Sequence, residues 1–271
     1  MLMKSFAKIN LGLAIKNKRT DGFHDLDMIM QSVSLFDLVK ISKIDSKKIL
    51  IYCDKNICKF EQNLAYRAAK IIFSLINLNF GIKIEIKKNI PVGAGLGGGS
   101  SNAAAVIFGL NKILNLNFQE NKTIEICTKV GSDVPFCYYG GTMFCQGKGE
   151  ILSKIDSFTG YKILLKFNNK KNYTKNIFEK FDNFMQNNFE NNNSKIKILK
   201  EAILFKNTNK IQENCFNDFE KIIQVPNNWH LTGSGSAIFK IVNKNYINLD
   251  KNNIICEPVS HGVEIIENNW N

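Results

Sequence analysis

The residues Pro91-Val92-Gly93-Ala94-Gly95-Leu96-Gly97-Gly98-Gly99-Ser100-Ser101-Asn102 lie between two differently patterned segments. On one side Phe80, Ile82, Ile84 and Ile86 alternate with Gly81, Lys83, Glu85 and Lys87, the period of a strand with one buried face. On the other, Ala103, Ile107, Leu110 and Leu114 recur at helical spacing, with Val106 and Ile113 widening the stripe. Five of the seven residues from Gly93 to Gly99 are glycine, which costs conformational entropy and is a poor choice for a plain connection. At a helix N-terminus, such a turn offers unpaired N–H groups and the positive end of the helix dipole, a setting that suits phosphate. Ser100, Ser101 and Asn102 add side-chain oxygens that can cap the helix, meet phosphate or ligate a metal.

Two familiar phosphate loops do not fit. A Walker loop needs Gly-Lys-Ser/Thr, and Gly99 precedes Ser100 here. Gly93, Gly95 and Gly98 satisfy G-x-G-x-x-G, but the preceding strand alternates as a half-exposed antiparallel strand does. No acidic residue closes a second strand about 20 positions on, where a dinucleotide's ribose would need it.

Composition narrows the class. The 271 residues are 44% hydrophobic, enough for one large or two ordinary cores, and 4 prolines and 18 glycines argue against a fibrous or disordered chain. No run of about 18 apolar residues is present to span a membrane. The opening Met1-Leu2-Met3-Lys4-Ser5-Phe6 turns polar too soon for a signal peptide. Cys53, Cys58, Cys127, Cys137, Cys145, Cys215 and Cys256 are odd in number and form no C-x-x-C pair, and the three histidines are far apart. Reduced, mostly buried thiols in a cytoplasmic protein are expected, with neither disulfide framework nor zinc site. A net charge of +12 admits a nucleic-acid partner, but the lysines are dispersed and no compact arginine cluster accompanies them. The charge is read instead as concentrating anionic substrates.

Along the chain, residues 5–15 read as a strand with Ala7, Ile9, Leu11, Leu13 and Ile15 on one face and Lys8, Asn10 and Gly12 on the other. The second face is either the floor of a site or a solvated outer surface. Asp21-Gly22 marks a turn before strands over 26–34 and 38–42. Phe23 and His24 on that turn either pack on the sheet or pair a stacking ring with an imidazole suited to a heterocyclic base. Asn63 is placed as the N-cap of a helix to Leu75, and Asn117–Glu120 as a capping box opening a helix through Val130. Gly131-Ser132-Asp133-Val134-Pro135 then stops the helix and holds Asp133 on a stiff turn. That carboxylate either stabilises the turn or serves as an acid–base group. Beyond 150 come a strand at 161–167, an Asn/Lys-rich stretch through 168–195 and a helix at 196–205. A second glycine turn, Leu231–Ser236, leads into a strand over 237–242, and a short last strand follows at 262–266.

Taken in order, these motifs resemble the GHMP kinases, the family of galactokinase, homoserine kinase and mevalonate kinase. Its loop, Pro-x-Gly-x-Gly-Leu-Gly-Ser-Ser-like, is matched by Pro91–Ser101. The likeness is greatest to the branch that phosphorylates a cytidine diphosphate sugar alcohol on the non-mevalonate route to isoprenoids. That branch carries Ala-Lys-x-Asn-Leu and Asp-Gly-Tyr-His, where this chain has Ala7–Leu11 and Asp21–His24, with Phe23 lacking the phenol hydroxyl. Its Gly-Leu-Gly-Gly-Gly-Ser-Ser-Asn-Ala-Ala is reproduced by Gly95–Ala104. Its Gly-Ala-Asp-Val-Pro and Leu-Thr-Gly-x-Gly-Ala appear at Gly131–Pro135 and Leu231–Ser236, with Ser132 and Ser236 in place of alanines.

The resemblance implies an α+β, two-domain GHMP kinase fold. An ATP-binding, ribosomal-protein-S5-like domain would span 1–150 and a ferredoxin-like domain 151–271. It implies Lys8 and Asp133 as the catalytic pair. Asn63 and the loop Pro91, Val92, Gly93, Ala94, Gly95, Leu96, Gly97, Gly98, Gly99, Ser100 and Ser101 would bind ATP, with Mg²⁺ carried on the nucleotide rather than held by a metal site of the protein. Asn10, Phe23, His24 and Phe178 would contact the substrate. The expected partners are these small molecules, with no nucleic acid or membrane and a monomer or weak dimer in solution. Another small-alcohol kinase of the same fold, or a basic nucleic-acid-binding protein, are the competing readings. The Asp21–His24 element speaks against the first. The second gives Lys8 and Asp133 no purpose.

Overall fold

The computed structural model describes residues 1–55, 59–156, 159–167, 174–185, 193–248 and 250–268. In chain order the elements are β1 (Leu2–Lys18), β2 (His24–Ile44), β3 (Ile49–Cys53), α1 (Leu64–Leu75), β4 (Gly81–Lys87), α2 (Gly98–Ile113), α3 (Glu120–Val130), α4 (Val134–Tyr139), β5 (Thr142–Gly147) and β6 (Ile151–Ile155). They continue with β7 (Tyr161–Phe167), α5 (Thr174–Met185), α6 (Asn193–Leu204), α7 (Thr208–Asn214), β8 (Phe216–Asn217), β9 (His230–Leu231), β10 (Ala237–Asn243), β11 (Ile254–Cys256) and β12 (Val263–Glu267). The first sheet runs β12-β1-β2-β4-β3, with β5 joined to β2, β6 to β5 and β8 to β1; the second runs β11-β7-β10-β9. Residues beyond 150 therefore enter both sheets, because β6 pairs with β5 and β12 returns to pair with β1.

β1 and β2 are the spine, and their pairing departs from simple alternation. The two strands expected at 26–34 and 38–42 are one strand, and the apparent break is a bulge: Phe6 faces Phe36 while Ala7 faces Val33. A second irregularity sets Asn10 opposite Met30 and Gly12 opposite Ile29, leaving Leu11 as the extra residue. Bulges re-aim side chains. The single apolar face expected for β1 is accordingly split. Ala7, Ile9 and Leu11 enter a core shared with β7, β10, α6 and α7, whereas Met3, Leu13 and Ile15 enter a core with α1, α2 and α3. Every residue from 5 to 15 is buried, so the face bearing Lys8 and Asn10 is not a solvated surface.

Other boundaries shift for local reasons. β4 pairs antiparallel with β2, as its alternation predicts, and parallel with β3. α2 begins at Gly98 with Gly97 as N-cap at φ 70°, which places Ser100, Ser101 and Asn102 inside the helix instead of capping it. The capping box expected at 117–120 does not form: α3 starts at Glu120 behind Gln119, whose side chain makes no cap bond, and Asn117 turns left-handed at φ 50°. The sequence pattern did not anticipate α5 within its Asn/Lys-rich stretch, nor α7. Cys53 is half-buried, and Cys127, Cys137, Cys145, Cys215 and Cys256 are buried and unbridged, with burial pushing Cys127 up to about 12; Cys58 lies outside the described residues. No described helix is long and apolar enough to cross a membrane.

The two glycine turns lock the sheets together. Ala237 N–H donates to Ala94 O at 3.0 Å, and a Cβ at Gly235 would fall on the backbone of Ala94. Gly235→Ala is expected to lower unfolding free energy by about 1–3 kcal/mol, the usual scale of overpacking. Urea denaturation tests this, and a midpoint equal to wild type at unchanged slope would refute it.

Candidate active site

Lys8 projects from the segment of β1 between its two bulges. Its Nζ donates to Asn10 Oδ1 at 2.8 Å and lies 3.6 Å from Asp133 Oδ2. Asp133 reaches it from the N-cap position of α4, with Pro135 setting the stiff first turn, and makes no side-chain cap bond of its own. The carboxylate is thus held by the turn but aimed at the lysine. Asn10 is fixed from two sides, its N–H donating to Thr232 Oγ1 at 3.1 Å and its Nδ2 lying 3.3 Å from Met28 Sδ. Both glycine turns close over the group. A Cβ at Gly97 would stand 2.9 Å from Lys8 Cγ, and one at Gly233 3.4 Å from Lys8 Nζ. Lys8 N–H also donates to Leu96 O at 3.0 Å, tying strand to loop. Lys8 is 4% exposed. An ammonium that deep needs acceptors, and the described structure provides an amide oxygen and a carboxylate.

The loop itself is a cradle. Gly93, Gly95 and Gly97 all have left-handed φ (73°, 85° and 70°), a conformation that side chains resist. It opens the first turn of α2, where N–H groups lack intrahelical acceptors. Residues 91–100 line a cavity of about 440 Å³ that also admits Asn63, Leu64, Lys88, Asn102 and Thr174. A Cβ at Gly99 would meet only Leu64 Cδ1, at 3.7 Å, so no protein atom demands glycine there. Ser101 Oγ is buried without a partner. The vacant space at Gly99 is what a phosphate-bearing ligand would fill. Asn63 caps α1 by accepting from Ala65 N–H at 2.9 Å and turns toward the same cavity.

The remaining expected residues separate. His24, at the start of β2, is buried and stacks on Phe178 of α5, with centroids 4.8 Å apart and planes 19° apart. Phe178 in turn meets Phe219 edge-on at 4.9 Å. Phe23 is 57% exposed, with Lys148 Nζ 4.8 Å from its ring centre. His24 Nε2 lies 2.6 Å from Asp182 Oδ1, and Lys18 Nζ is 2.6 Å from Asp182 Oδ2. Burial opposes ionisation of Asp182, but the hydrogen bonds from Lys18 and His24 outweigh it and hold the carboxyl below its ordinary range.

Comparison with known proteins bears on this geometry. The family model "GHMP kinases N terminal domain" matches residues 63–141, the span from Asn63 through the loop to Asp133 and α4. A 4-diphosphocytidyl-2-C-methyl-D-erythritol kinase of Caldicellulosiruptor saccharolyticus is 36% identical over 263 residues, covering 91% of this chain and 89% of that one. The chain belongs to the GHMP kinase family. Among solved structures, a 4-(cytidine 5'-diphospho)-2C-methyl-D-erythritol kinase superposes with TM-score 0.72 at 24% identity, over 90% of each chain. The homoserine kinase of Cytophaga hutchinsonii superposes with TM-score 0.73 at 14% identity, over 98% of this chain and 97% of that one. The architecture is therefore the two-domain α+β fold of this kinase family, and kinases of the family use ATP.

Further side chains of this GHMP kinase line or support the same space. Lys88, buried beside the cavity, is ion-paired with the fully buried Asp37, and its Nζ donates to Asn102 Oδ1 at 2.9 Å. Asp37 Oδ1 also accepts from the N–H groups of Asn89 and Ile90 at 2.7 and 2.8 Å, fixing the approach to the loop. Thr174, at the start of α5, lines the cavity and bonds Ser234 Oγ at 2.8 Å. Thr232 orients Asn10, as above. Only Thr232 had a sequence signal, its glycine turn; Lys88 reads as one lysine among many. Asp37→Ala would leave Lys88 buried without its counter-charge, and a loss of about 3–5 kcal/mol is expected. Guanidinium titration measures it, and a loss below 1 kcal/mol would show that the pair does not hold the loop's base.

Proposed function

We propose that this kinase transfers the γ-phosphoryl group of ATP to the 2-hydroxyl of 4-diphosphocytidyl-2-C-methyl-D-erythritol, in isoprenoid precursor synthesis by the non-mevalonate route. The transfer reading rests on one observation: the Lys8–Asp133 pair, 3.6 Å apart, sits directly beneath the left-handed glycine cradle. Substrate choice is supported by the Caldicellulosiruptor relative and by the Asp21–His24 element.

Phosphoryl transfer needs alignment and charge stabilisation more than covalent help. ATP supplies the transferable group, and Mg²⁺ carried with it offsets phosphate charge. In this reading the first-turn N–H groups of α2, with Ser100 and Ser101, bind phosphate oxygens, and Asn63 faces the adenine. Asp133 Oδ2 accepts the proton of the attacking hydroxyl. Lys8 Nζ stabilises the developing alkoxide, and Asn10 holds Lys8 in line. His24 meets the cytosine edge, with Phe178 behind it and Phe23 at the rim. We place ATP binding in residues 1–150 and assign 151–271 to the second domain, with β12 threaded back into the first sheet.

Purified protein with Mg-ATP and a panel of alcohols, followed by ADP release, tests the substrate assignment. Turnover is expected with the cytidylyl substrate alone, and turnover with homoserine or mevalonate would overturn it. Lys8→Ala and Asp133→Asn are each expected to lower kcat by roughly 10²-fold or more while folding normally. His24→Ala should raise KM for the cytidylyl substrate well beyond any change for ATP. Gly99→Ala separates packing from ligand binding. It should leave stability unchanged or raise it by up to about 1 kcal/mol, as alanine does within a helix, while weakening ATP binding in a calorimetric titration. Undiminished affinity would remove Gly99 from the cradle.

A further inference from the structure

We propose that Gly262 is a positioning residue that sets the spacing of Lys8 and Asp133, because this one glycine touches both backbones that carry the pair. This rests on the reading of Lys8 and Asp133 as the catalytic pair.

Lys8 and Asp133 lie on separate elements, so their 3.6 Å separation depends on whatever spans β1 and α4. The segment just before β12 spans them. On one side Gly262 O accepts from Phe6 N–H at 3.0 Å, two residues ahead of Lys8. On the other, a Cβ at Gly262 would fall 1.8 Å from Cys137 O and 2.7 Å from its carbonyl carbon, so residue 262 lies backbone against backbone on α4. Cys137 N–H in turn donates to Asp133 O at 3.0 Å, closing the helical turn that seats the carboxylate. The fit is reciprocal. Gly140, which ends α4 at φ 68°, would set a Cβ 2.0 Å from Gly262 N.

The frame closes through β2. Ser32 is the cross-strand neighbour of Lys8. Its N–H donates to Gly141 O just beyond α4 and its carbonyl accepts from Val259 N–H, both at 2.9 Å. Gln31 Nε2 donates to Val259 O at 3.1 Å, and the His261 ring meets Phe6 edge-on at 5.1 Å. β1, β2, α4 and residues 259–262 are thus joined in a ring. A side chain at 262 must part α4 from β1, and Asp133 moves with α4. Misplacement of about 1 Å at a reacting group can cost 10²-fold in rate. The glycine cradle is carried by α2, outside this ring, so ATP binding should be spared.

Steady-state kinetics on the intact chain test this. In Gly262→Ala, kcat for the cytidylyl substrate should fall about tenfold or more, with KM for Mg-ATP unchanged. Gly81→Ala is the control: its Cβ would fall 2.1 Å from Lys48 O, an equal backbone clash at the end of β4 remote from the loop, and kcat should be unaltered. Adding Asp133→Asn to Gly262→Ala should cost less than Asp133→Asn costs alone, because the carboxylate is already out of place. Wild-type kcat in Gly262→Ala, an equal loss in Gly81→Ala, or full multiplication of the two losses in the double variant overturns the proposal. Should Gly262→Ala not fold, His261→Ala keeps the glycine but withdraws the ring from Phe6. Its kcat should fall by about twofold or more, the scale of one aromatic contact, and an unaltered kcat there overturns the proposal. Wild-type kcat in Asp133→Asn alone overturns the catalytic-pair reading beneath it as well, which distinguishes the two failures.

Discussion

Enclosing one lysine side chain is the constraint around which the site is built. Lys8 stands on a central strand with both faces covered, and its ammonium must be met by polar atoms on every side that water cannot reach. Asn10 on the same strand and Asp133 from α4 meet it directly. What remains is a question of space. Gly97 and Gly233 leave just enough room for the aliphatic stem and the ammonium, and a side chain at 97 would push the lysine off its line. The left-handed glycines therefore serve two ends at once, shaping a turn at the head of α2 and admitting Lys8 beneath it. Gly95 and Gly235 then let the two turns lie backbone against backbone, so the second sheet buttresses the first beside Lys8.

From this centre, α5 carries the geometry outward. Thr174, Phe178 and Asp182 are spaced four apart and so share one face. The first borders the glycine-loop cavity and bonds the second glycine turn through Ser234, and the other two hold His24. A single helix face thus ties the glycine-loop cavity to the imidazole at the far end of the β1–β2 pair. In the proposed reaction the two substrates need a common frame, because in-line transfer tolerates little misplacement.

Much of this was legible in the sequence, though unevenly. The loop, β4 and α2 announced themselves because period two, a glycine run and helical spacing are local signals. Asp133 was legible because Gly131 and Pro135 restrict the chain within five residues. β1 was harder. Alternation marked Lys8 and Asn10 as one face, but whether that face was wet or dry depended on what the chain brought over it more than 120 residues later. The bulges at 6–7 and at Leu11 depend on strand pairing and left no local trace, so Leu13 and Ile15 were assigned to the wrong side. Asp37, Lys88 and Asp182 were invisible for the same reason: each is an ordinary charged residue until a distant partner is folded against it. Phe23 shows the converse. Its place beside His24 in a motif suggested a shared task, yet adjacent residues on a strand entry point opposite ways, and only the histidine turns inward.

The distribution of cations explains how such a loop works without a lysine of its own. In a Walker loop the motif itself carries the cation, whereas here the turn is all backbone and small side chains. Lys88 lies behind the loop, but Asp37 pairs with it and Asn102 accepts a second hydrogen bond, so its charge is largely spent on holding the loop's base. Attraction for an anion then falls to the N–H groups and dipole of α2. Lys8, on the opposite side of the turn, is left next to Asp133. One lysine thus shapes the cradle, and in the proposed transfer the other faces the reacting group. In the proposed transfer, this keeps the cation beside the acceptor hydroxyl, where charge develops, and leaves phosphate binding to rigid backbone that has no side-chain entropy to lose.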